Sequence, residues 1–278
     1  ILHCIASFLL LPLRCYHACF YICIKSCAVV SKRKYANKYS EILKMYSVRR
    51  EMGKIIKYLT NGYSFEETVS LATSALKSGK VIALPTDTIY GVAALAQNTE
   101  AVNAMCKIKR RDSGKKFVAI CVGSIDDIPK WGKVVFPTSV LTDLLPGPVT
   151  LIMERKSALN PNFNPHTSTI GIRIPNSKFI QSVASACGEP LALTSANISS
   201  TRSTLSIEEF KELWPDLDLI IDGGVLGQCD PNRLGSTVVD LSKQGFYTIV
   251  RNGCSRENTE KILLKHGLKE FRCRIICE

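Results

Sequence analysis

From residue 64 onward, short apolar runs alternate with stretches whose apolar residues recur at helical spacing. The run Val81–Leu84 predicts a buried strand, and Pro85 is expected to end it because proline has no N–H for the ladder. Other apolar runs predict strands at 117–122, 149–153, 170–174, 191–193, 219–221, 237–241 and 246–250. Helical spacing and capping residues predict helices at 64–78, 99–109, 141–145, 179–187, 207–213 and 259–266. Strands mixed with helices indicate an α/β fold with a mixed sheet.

Small polar residues follow the strand at Val81–Leu84. Thr86, Asp87 and Thr88 are predicted to leave the sheet as a turn, and open α/β sheets place ligand sites at such strand ends. Gly91 would let a ligand or a following helix approach the backbone closely. Thr and Asp are also good helix N-caps, so a plain capping role stays open at this point.

Two further strands carry clusters of the same kind. Thr194–Asn197 follows the predicted strand at 191–193, and Gly235–Thr237 opens another. If these clusters converge with Thr86–Thr88, their hydroxyls, amide and backbone N–H groups could bind an oxyanion or an amino acid.

Positive charge is concentrated between residues 107 and 116, where six of ten residues are Lys or Arg. An isolated charge run is usually a solvated loop. Beside hydroxyl-lined strand ends, however, it is also typical of a polyphosphate clamp. Arg173 lies within an apolar strand and Arg251 follows one, and a buried or half-buried arginine requires an anionic partner.

Several classes of site find no support. The chain has no G-x-x-x-x-G-K-[ST] motif, and no G-x-G-x-x-G opens a helix after a strand. The four histidines form no metal or triad pattern, and no metal site is predicted. A cationic groove without an evident nucleophile indicates positioning and charge neutralisation rather than covalent catalysis.

Residues 1–50 differ from the rest, with nine Lys or Arg against one acid, Glu41. The remainder is only mildly basic, although the whole chain carries a net charge of +12. Three interpretations of this leader stay open: a mitochondrial transit peptide, a membrane-associated segment, and a leader that forms no structure.

Six motifs occur together in a fixed order: Pro-Thr-Asp-Thr-Ile-Tyr-Gly at 85–91, Lys-x-Arg at 109–111, Leu-Pro-Gly-Pro-Val-Thr at 145–150, Gly-Ile-Arg-Ile-Pro at 171–175, Leu-Thr-Ser-Ala-Asn at 193–197 and Gly-Ser-Thr-Val-Val-Asp at 235–240. This set resembles the YrdC-type threonylcarbamoyl-AMP synthase family, in its animal single-domain form, over residues 64–268. The resemblance implies a twisted α/β sheet with flanking helices and a concave basic cavity, in a catalytic domain at 60–270. It also implies a nucleotidyltransferase that converts L-threonine, bicarbonate and ATP into threonylcarbamoyl-adenylate and pyrophosphate. The product would pass to a separate transferase complex for t6A37 modification of tRNA.

The resemblance also implies residue roles. Four residues would hold L-threonine, with Arg173 on its carboxylate: Thr88, Arg173, Ser195 and Ser236. Seven would hold ATP, with Lys109 and Arg111 nearest the reaction: Lys109, Arg111, Lys115, Thr169, Asn197, Ser203 and Arg251. Mg2+ would accompany the triphosphate. The chain departs from the family pattern at Lys116–Phe117, which leaves the register of Lys115 open.

Two other functions remain as alternatives. One is an RNA-binding module that uses the concave basic face, and the other is carbamoyl transfer. The expected location is the cytoplasm, the mitochondrion or both. A weak contact with tRNA and membrane association through the leader also stay open.

Overall fold

A computed structural model describes residues 54–58, 63–110, 117–227 and 232–271. The predicted leader at 1–50 lies outside these residues, and so do Arg111 and Lys115. Within the described ranges, no helix has the length and apolar character needed to span a bilayer.

Twelve strands in the described residues form one mixed sheet, which confirms the predicted α/β class. The strands are β1 Lys54–Lys57, β2 Ile82–Pro85, β3 Tyr90–Leu95, β4 Ala119–Cys121, β5 Gly132–Lys133, β6 Val149–Arg155, β7 Thr169–Arg173, β8 Leu191–Ser195, β9 Leu219–Asp222, β10 Thr237–Asp240, β11 Phe246–Arg251 and β12 Lys269–Glu270. Their order is β1-β9-β2-β3-β8-β4-β7-β6-β10-β11-β12, and β5 pairs with β6 at one side of this path. Strands distant in the sequence are therefore neighbours, such as β8 beside β3 and β4, and β10 beside β6.

Helices flank the sheet. The helices are α1 Phe65–Lys77, α2 Thr99–Ile108, α3 Ile128–Trp131, α4 Ser139–Leu144, α5 Lys178–Cys187 and α6 Arg256–Lys265, with 3-10 segments at Ile125–Asp127 and Ile207–Asp216. Helices α1 and α5 pack together over one apolar cluster that contains Leu76 and Phe179. A second, larger cluster includes Met105 of α2, Leu141 of α4 and Leu263 of α6. Burial of these two clusters holds the sheet between its helices.

Helix α1 begins as its sequence predicts. Ser64 accepts a hydrogen bond from the Glu67 amide at 3.1 Å, and Glu67 accepts one from the Ser64 amide at 2.8 Å. This reciprocal capping box satisfies two amide groups that the first helical turn leaves without partners.

The element that follows the turn after β2 differs from the sequence prediction. Thr86–Thr88 leaves the sheet as predicted, but a strand follows it instead of a helix. The helix-capping interpretation is therefore wrong, because β2 and β3 form an antiparallel hairpin. Gly91 of β3 packs against β8 and not against a helix, since a Cβ there would lie 2.8 Å from Leu193 Cδ1.

Several boundaries also shift. The segment predicted as a helix at 207–213 forms a 3-10 segment that is broken at Phe210, where φ is −126°. The strand predicted at 117–122 shortens to Ala119–Cys121, and the last helix begins at Arg256 instead of residue 259. Strand β1 was missed, because four residues with a lysine at each end give no clear periodic signal.

Candidate functional site: a cationic, hydroxyl-lined cavity

A cavity of about 360 Å³ lies over the middle of the sheet, with lining residues on β3, β4, β6, β7, β8, β10 and β11. Seven of the predicted site residues line it: Lys109, Arg173, Ser195, Asn197, Ser203, Ser236 and Arg251. Among the described lining residues there are three cations and no carboxylate. A volume of this size fits a small ligand, and the charge favours an anion.

Arg173 ends β7 and is 7% exposed. Its Nη2 donates to Thr88 Oγ1 at 2.9 Å and to the Asp87 carboxylate. Its Nε is buried and has no hydrogen-bond partner among the described residues. Thr88 and Arg173, which were each predicted to hold L-threonine, are therefore in direct contact with each other, and one buried donor of Arg173 remains for a ligand or water.

Thr88 is held by the turn that carries it. Thr86 Oγ1 donates to the Ile89 carbonyl at 2.7 Å and accepts from the Thr88 amide at 3.2 Å. The Thr86 and Thr88 hydroxyls lie 3.2 Å apart. Such side-chain bonds to nearby backbone groups stabilise a tight turn, so Thr88 reaches Arg173 from a fixed position.

Ser236 and Arg251 form a second polar group in the cavity. Arg251 donates from Nη2 to the Ser236 carbonyl at 2.7 Å and to Ser236 Oγ at 3.0 Å. Desolvation in the cavity lowers the pKa of Arg251, and the positive charge of Arg173 lowers it further. Because the charges of Arg173 and Arg251 repel each other across one cavity, an anion bound between them would be favoured.

Lys109 and Asn197 form a third group. Lys109 is 2% exposed, and its ammonium donates to the backbone carbonyls of Asn197, at 2.7 Å, and Ser195. The Asn197 amide nitrogen donates to the Ile198 and Thr201 carbonyls at 2.7 and 2.9 Å, which fixes its orientation because carbonyl oxygens only accept. Asn197 Oδ1 is buried without a partner among the described residues.

Two of the predicted residues in the described ranges do not line the cavity: Thr88, which contacts Arg173, and Thr169, which lies apart from the others. Thr169 begins β7 and does not line the cavity, and its hydroxyl lies 2.9 Å from that of Thr167. It shares the face of β7 that carries Gly171 and Arg173, since side chains alternate along a strand. Its predicted contact with ATP stays a prediction.

The sequence reasoning missed Thr150 on β6, whose hydroxyl lies 2.8 Å from that of Ser236 and faces the same cavity. The signal was present, because Thr150 is a polar residue inside an apolar strand, as Arg173 is. Cys121 pairs with Arg173 across β4 and β7, and burial raises the pKa of its thiol to about 12, which disfavours the reactive thiolate.

Residues 74–253 match the family profile of the Sua5, YciO and YrdC proteins, described as "Telomere recombination". The chain belongs to the Sua5/YciO/YrdC family. Among similar proteins of this family, a threonylcarbamoyl-AMP synthase of Bos taurus is 50% identical over 204 residues, covering 73% of this chain and 74% of that protein. The threonylcarbamoyl-AMP synthase of Homo sapiens is 48% identical over 205 residues, covering 73% of each chain.

Solved structures of the Sua5/YciO/YrdC family share the fold. Sua5 of Pyrococcus abyssi, solved with L-threonine, matches with a TM-score of 0.67 and 25% identity, covering 78% of this chain and 62% of that one. YciO of Escherichia coli matches with a TM-score of 0.63 and 25% identity, covering 73% of this chain and 96% of that one. The twisted mixed sheet that the family resemblance implied is thereby confirmed.

Proposed function

We propose that the protein is a threonylcarbamoyl-AMP synthase that joins L-threonine, bicarbonate and ATP. The observation that carries this proposal is the convergence of Arg173, Ser195 and Ser236 with two further cations around one cavity without a described carboxylate in its lining, while Thr88 contacts Arg173 from the neighbouring turn. The names of the mammalian relatives, at 48–50% identity, support it.

In this proposal Arg173 binds the carboxylate of L-threonine, because a guanidinium offers several donors in one plane. The hydroxyls of Thr88, Ser195 and Ser236 would orient the amine and the side chain. Ser236 is suited to this role, since Arg251 and Thr150 already hold its hydroxyl in place.

ATP would lie beside the amino acid, with Lys109, Ser203, Asn197 and Arg251 facing it. Arg111, Lys115 and Thr169 would complete this set, as the family resemblance implies. Mg2+ would enter as part of the substrate on the triphosphate, since the described cavity lining offers hydroxyls and cations and no carboxylate ligands.

The reaction needs no protein nucleophile. The neutral amine of threonine attacks the carbon of bicarbonate, a C–N bond forms, and a C–O bond breaks so that the carbamate forms with loss of one water. A carbamate oxygen then attacks the α-phosphorus of ATP, a new P–O bond forms, and the bond to the β-phosphate breaks so that pyrophosphate leaves. Both partners are anions, so Arg173, Arg251 and Lys109 would reduce their repulsion while the hydroxyls hold them in line.

We propose further that the product passes to a transferase complex that modifies adenosine 37 of tRNA. RNA binding as the main activity is disfavoured, because Lys109 and Arg173 are only 2% and 7% exposed. Buried cations suit an enclosed small anion, whereas RNA backbones are bound by spread, accessible cations. The cytoplasmic or mitochondrial location stays a prediction.

The test is pyrophosphate release with ATP, Mg2+ and bicarbonate, measured with L-threonine, with L-serine and with no amino acid. We expect threonine-dependent release that falls at least tenfold in Arg173→Ala, because a lost charge-assisted hydrogen bond costs on the order of 1.5–3 kcal/mol. Arg256→Ala is the matched control, since the exposed Arg256 side chain bonds, among the described residues, to Asn252 and Glu260 and lies away from the cavity lining. Tight RNA binding without threonine-dependent release would contradict the proposal.

A further inference from the structure

Asp87 is an acidic side chain that contacts one of the cavity cations, Arg173. It lies in the turn between β2 and β3, and its carboxylate accepts a hydrogen bond from Arg173 Nη2. Only 8% of the Asp87 side chain is exposed. A carboxylate this deeply buried beside a substrate-binding arginine requires an explanation, because burial of an ion pair is costly.

Asp87 also joins two loops that are distant in the sheet. Its second oxygen accepts a hydrogen bond from the backbone amide of Asn176 at 2.8 Å, in the loop that follows β7. Strands β3, β8 and β4 separate β2 from β7, so the two strands would lie about 19 Å apart in a flat sheet at the usual strand spacing. The turn at Asp87 therefore closes over the strand ends and fixes the loop beside Arg173.

The contacts of Arg173 are confined to one end of its guanidinium. Among the described residues, Nη2 bonds to Asp87 and Thr88, while Nε and Nη1 have no acceptor. The side chain is thus held by one nitrogen, with its remaining N–H groups unused in a cavity that Arg173 lines. An arginine held in this way loses little further freedom when it binds a carboxylate.

We propose that Asp87 is a positioning residue for L-threonine: it holds Arg173 by Nη2 and thereby directs the other guanidinium N–H groups at the substrate carboxylate. This inference rests on the proposed function. Asp87 neutralises part of the charge of Arg173, but the described lining of the cavity holds three cations and no carboxylate. The contribution of Asp87 is therefore orientation, and its removal should weaken threonine binding even though the cavity becomes more positive.

The experiment compares the unmodified protein with Asp87→Asn, Asp87→Glu, Arg173→Ala and the double variant Asp87→Asn/Arg173→Ala. L-threonine binding is measured by calorimetry, and KM and kcat come from pyrophosphate release. Asp218→Asn is the matched control, because Asp218 pairs with Lys80 at the surface and its loss changes the net charge equally. Thermal unfolding of each variant reports folding separately.

We expect Asp87→Asn to weaken threonine binding about tenfold, the size of a lost charge-assisted hydrogen bond. KM for threonine should rise while KM for ATP stays within about twofold, and Asp87→Glu should recover part of the loss since it restores the carboxylate. The double variant should bind no more weakly than Arg173→Ala alone, because Asp87 acts through Arg173. A purely structural role would instead lower the unfolding temperature and affect both substrates.

Three results would overturn the inference. Threonine binding by Asp87→Asn that equals or exceeds that of the unmodified protein would make Asp87 a competitor for Arg173. Additive losses of threonine binding in the double variant would mean that Asp87 acts independently of Arg173. If Asp87→Asn and Asp87→Glu both fail to fold, Asp87 contributes to the stability of the fold and not to substrate positioning. The proposed function fails separately, since it requires threonine-dependent turnover by the unmodified protein.

Discussion

The ammonium nitrogen of Lys109 lies 2.7 Å from the backbone carbonyl oxygen of Asn197, and it also donates to the carbonyl of Ser195. Lys109 follows the last residue of α2, whereas Ser195 ends β8 and Asn197 lies just beyond it. A residue predicted to bind ATP therefore also anchors the loop that carries two other predicted ligand-binding residues. Loss of Lys109 should thus affect both the cavity charge and the shape of its wall.

We expect Lys109→Met to lower both stability and activity. Methionine fills most of the same space but removes the ammonium donor of the buried Asn197 carbonyl and one of two donors of the Ser195 carbonyl, which keeps the Asn197 amide. This change costs about 2 kcal/mol. Urea unfolding measures the stability, and pyrophosphate release measures the activity. Lys261→Met, on the exposed face of α6, is the control and should change neither. Unchanged stability in Lys109→Met would show that the two carbonyl contacts contribute little.

Arg251 should not tolerate lysine. Its Nε and Nη2 both donate to the Ser236 carbonyl, at 3.2 and 2.7 Å, and Nη2 also reaches Ser236 Oγ. A lysine keeps the charge but has no fork of donors, so Arg251→Lys should release Ser236. We expect KM for ATP to rise about tenfold, as for one lost charge-assisted hydrogen bond. KM is measured by pyrophosphate release, and Arg256→Lys should have the same KM for ATP as the unmodified protein. If Arg251→Lys and Arg256→Lys have equal KM values for ATP, the prediction is wrong.

Away from the cavity, Asp143 links α4 to α6 and should make stability depend on pH. Hydrogen bonds from His266, at 2.9 Å, and from Lys265, at 3.2 Å, hold the pKa of Asp143 below its usual value. Because the folded pKa is the lower one, this contribution is present above the unfolded pKa of about 4 and is lost as pH falls through the folded pKa.

Unfolding temperatures of Asp143→Asn and the unmodified protein, measured from pH 7 to pH 2, test this dependence. The difference between them should be largest near neutral pH and should shrink on acidification. Asp126→Asn removes an exposed carboxylate from another surface and controls for net charge. A difference that is constant over the whole range would contradict the assignment.

The sequence predicted most elements through local signals. Ser64 and Glu67 mark the start of α1, and Val81–Leu84 predicts β2, because caps and apolar runs are decided within a few residues. Strand β3 was missed because all six of its residues are buried, so it shows no alternation of polar and apolar positions. Its place is fixed by pairing with β2 and β8, which no local pattern reveals.

The site was predictable in its residue types but not in its contacts. Thr88 and Arg173 were both singled out, yet 85 positions separate them, and their hydrogen bond depends on how the sheet is ordered and curved. The role of Lys109 as a donor to two backbone carbonyls could not be read from a charge run either. A run of cations shows where charge lies along the chain and not which side chain turns inward.

Replacement of Gly171 on β7 by alanine, the smallest residue with a Cβ, should lower both stability and activity. A Cβ at this position would lie 2.9 Å from Phe117 Cε1 and 3.1 Å from Thr150 Cγ2. Phe117 and Thr150 both line the cavity, so Gly171→Ala should displace the Phe117 ring and narrow the space for substrate. We expect a loss of stability of about 1–3 kcal/mol, the usual range for overpacking, together with a higher KM for at least one substrate.

Rescue provides the control for this prediction. Phe117→Leu alone removes the ring atom that the new Cβ would meet, so the double variant Gly171→Ala/Phe117→Leu should recover both stability and KM relative to Gly171→Ala. The two changes should therefore be non-additive, as contacting residues are. If the double variant is instead as impaired as the sum of the single ones, the Gly171 effect comes from Thr150 or from the backbone of β7, and Phe117 does not set the width of the cavity.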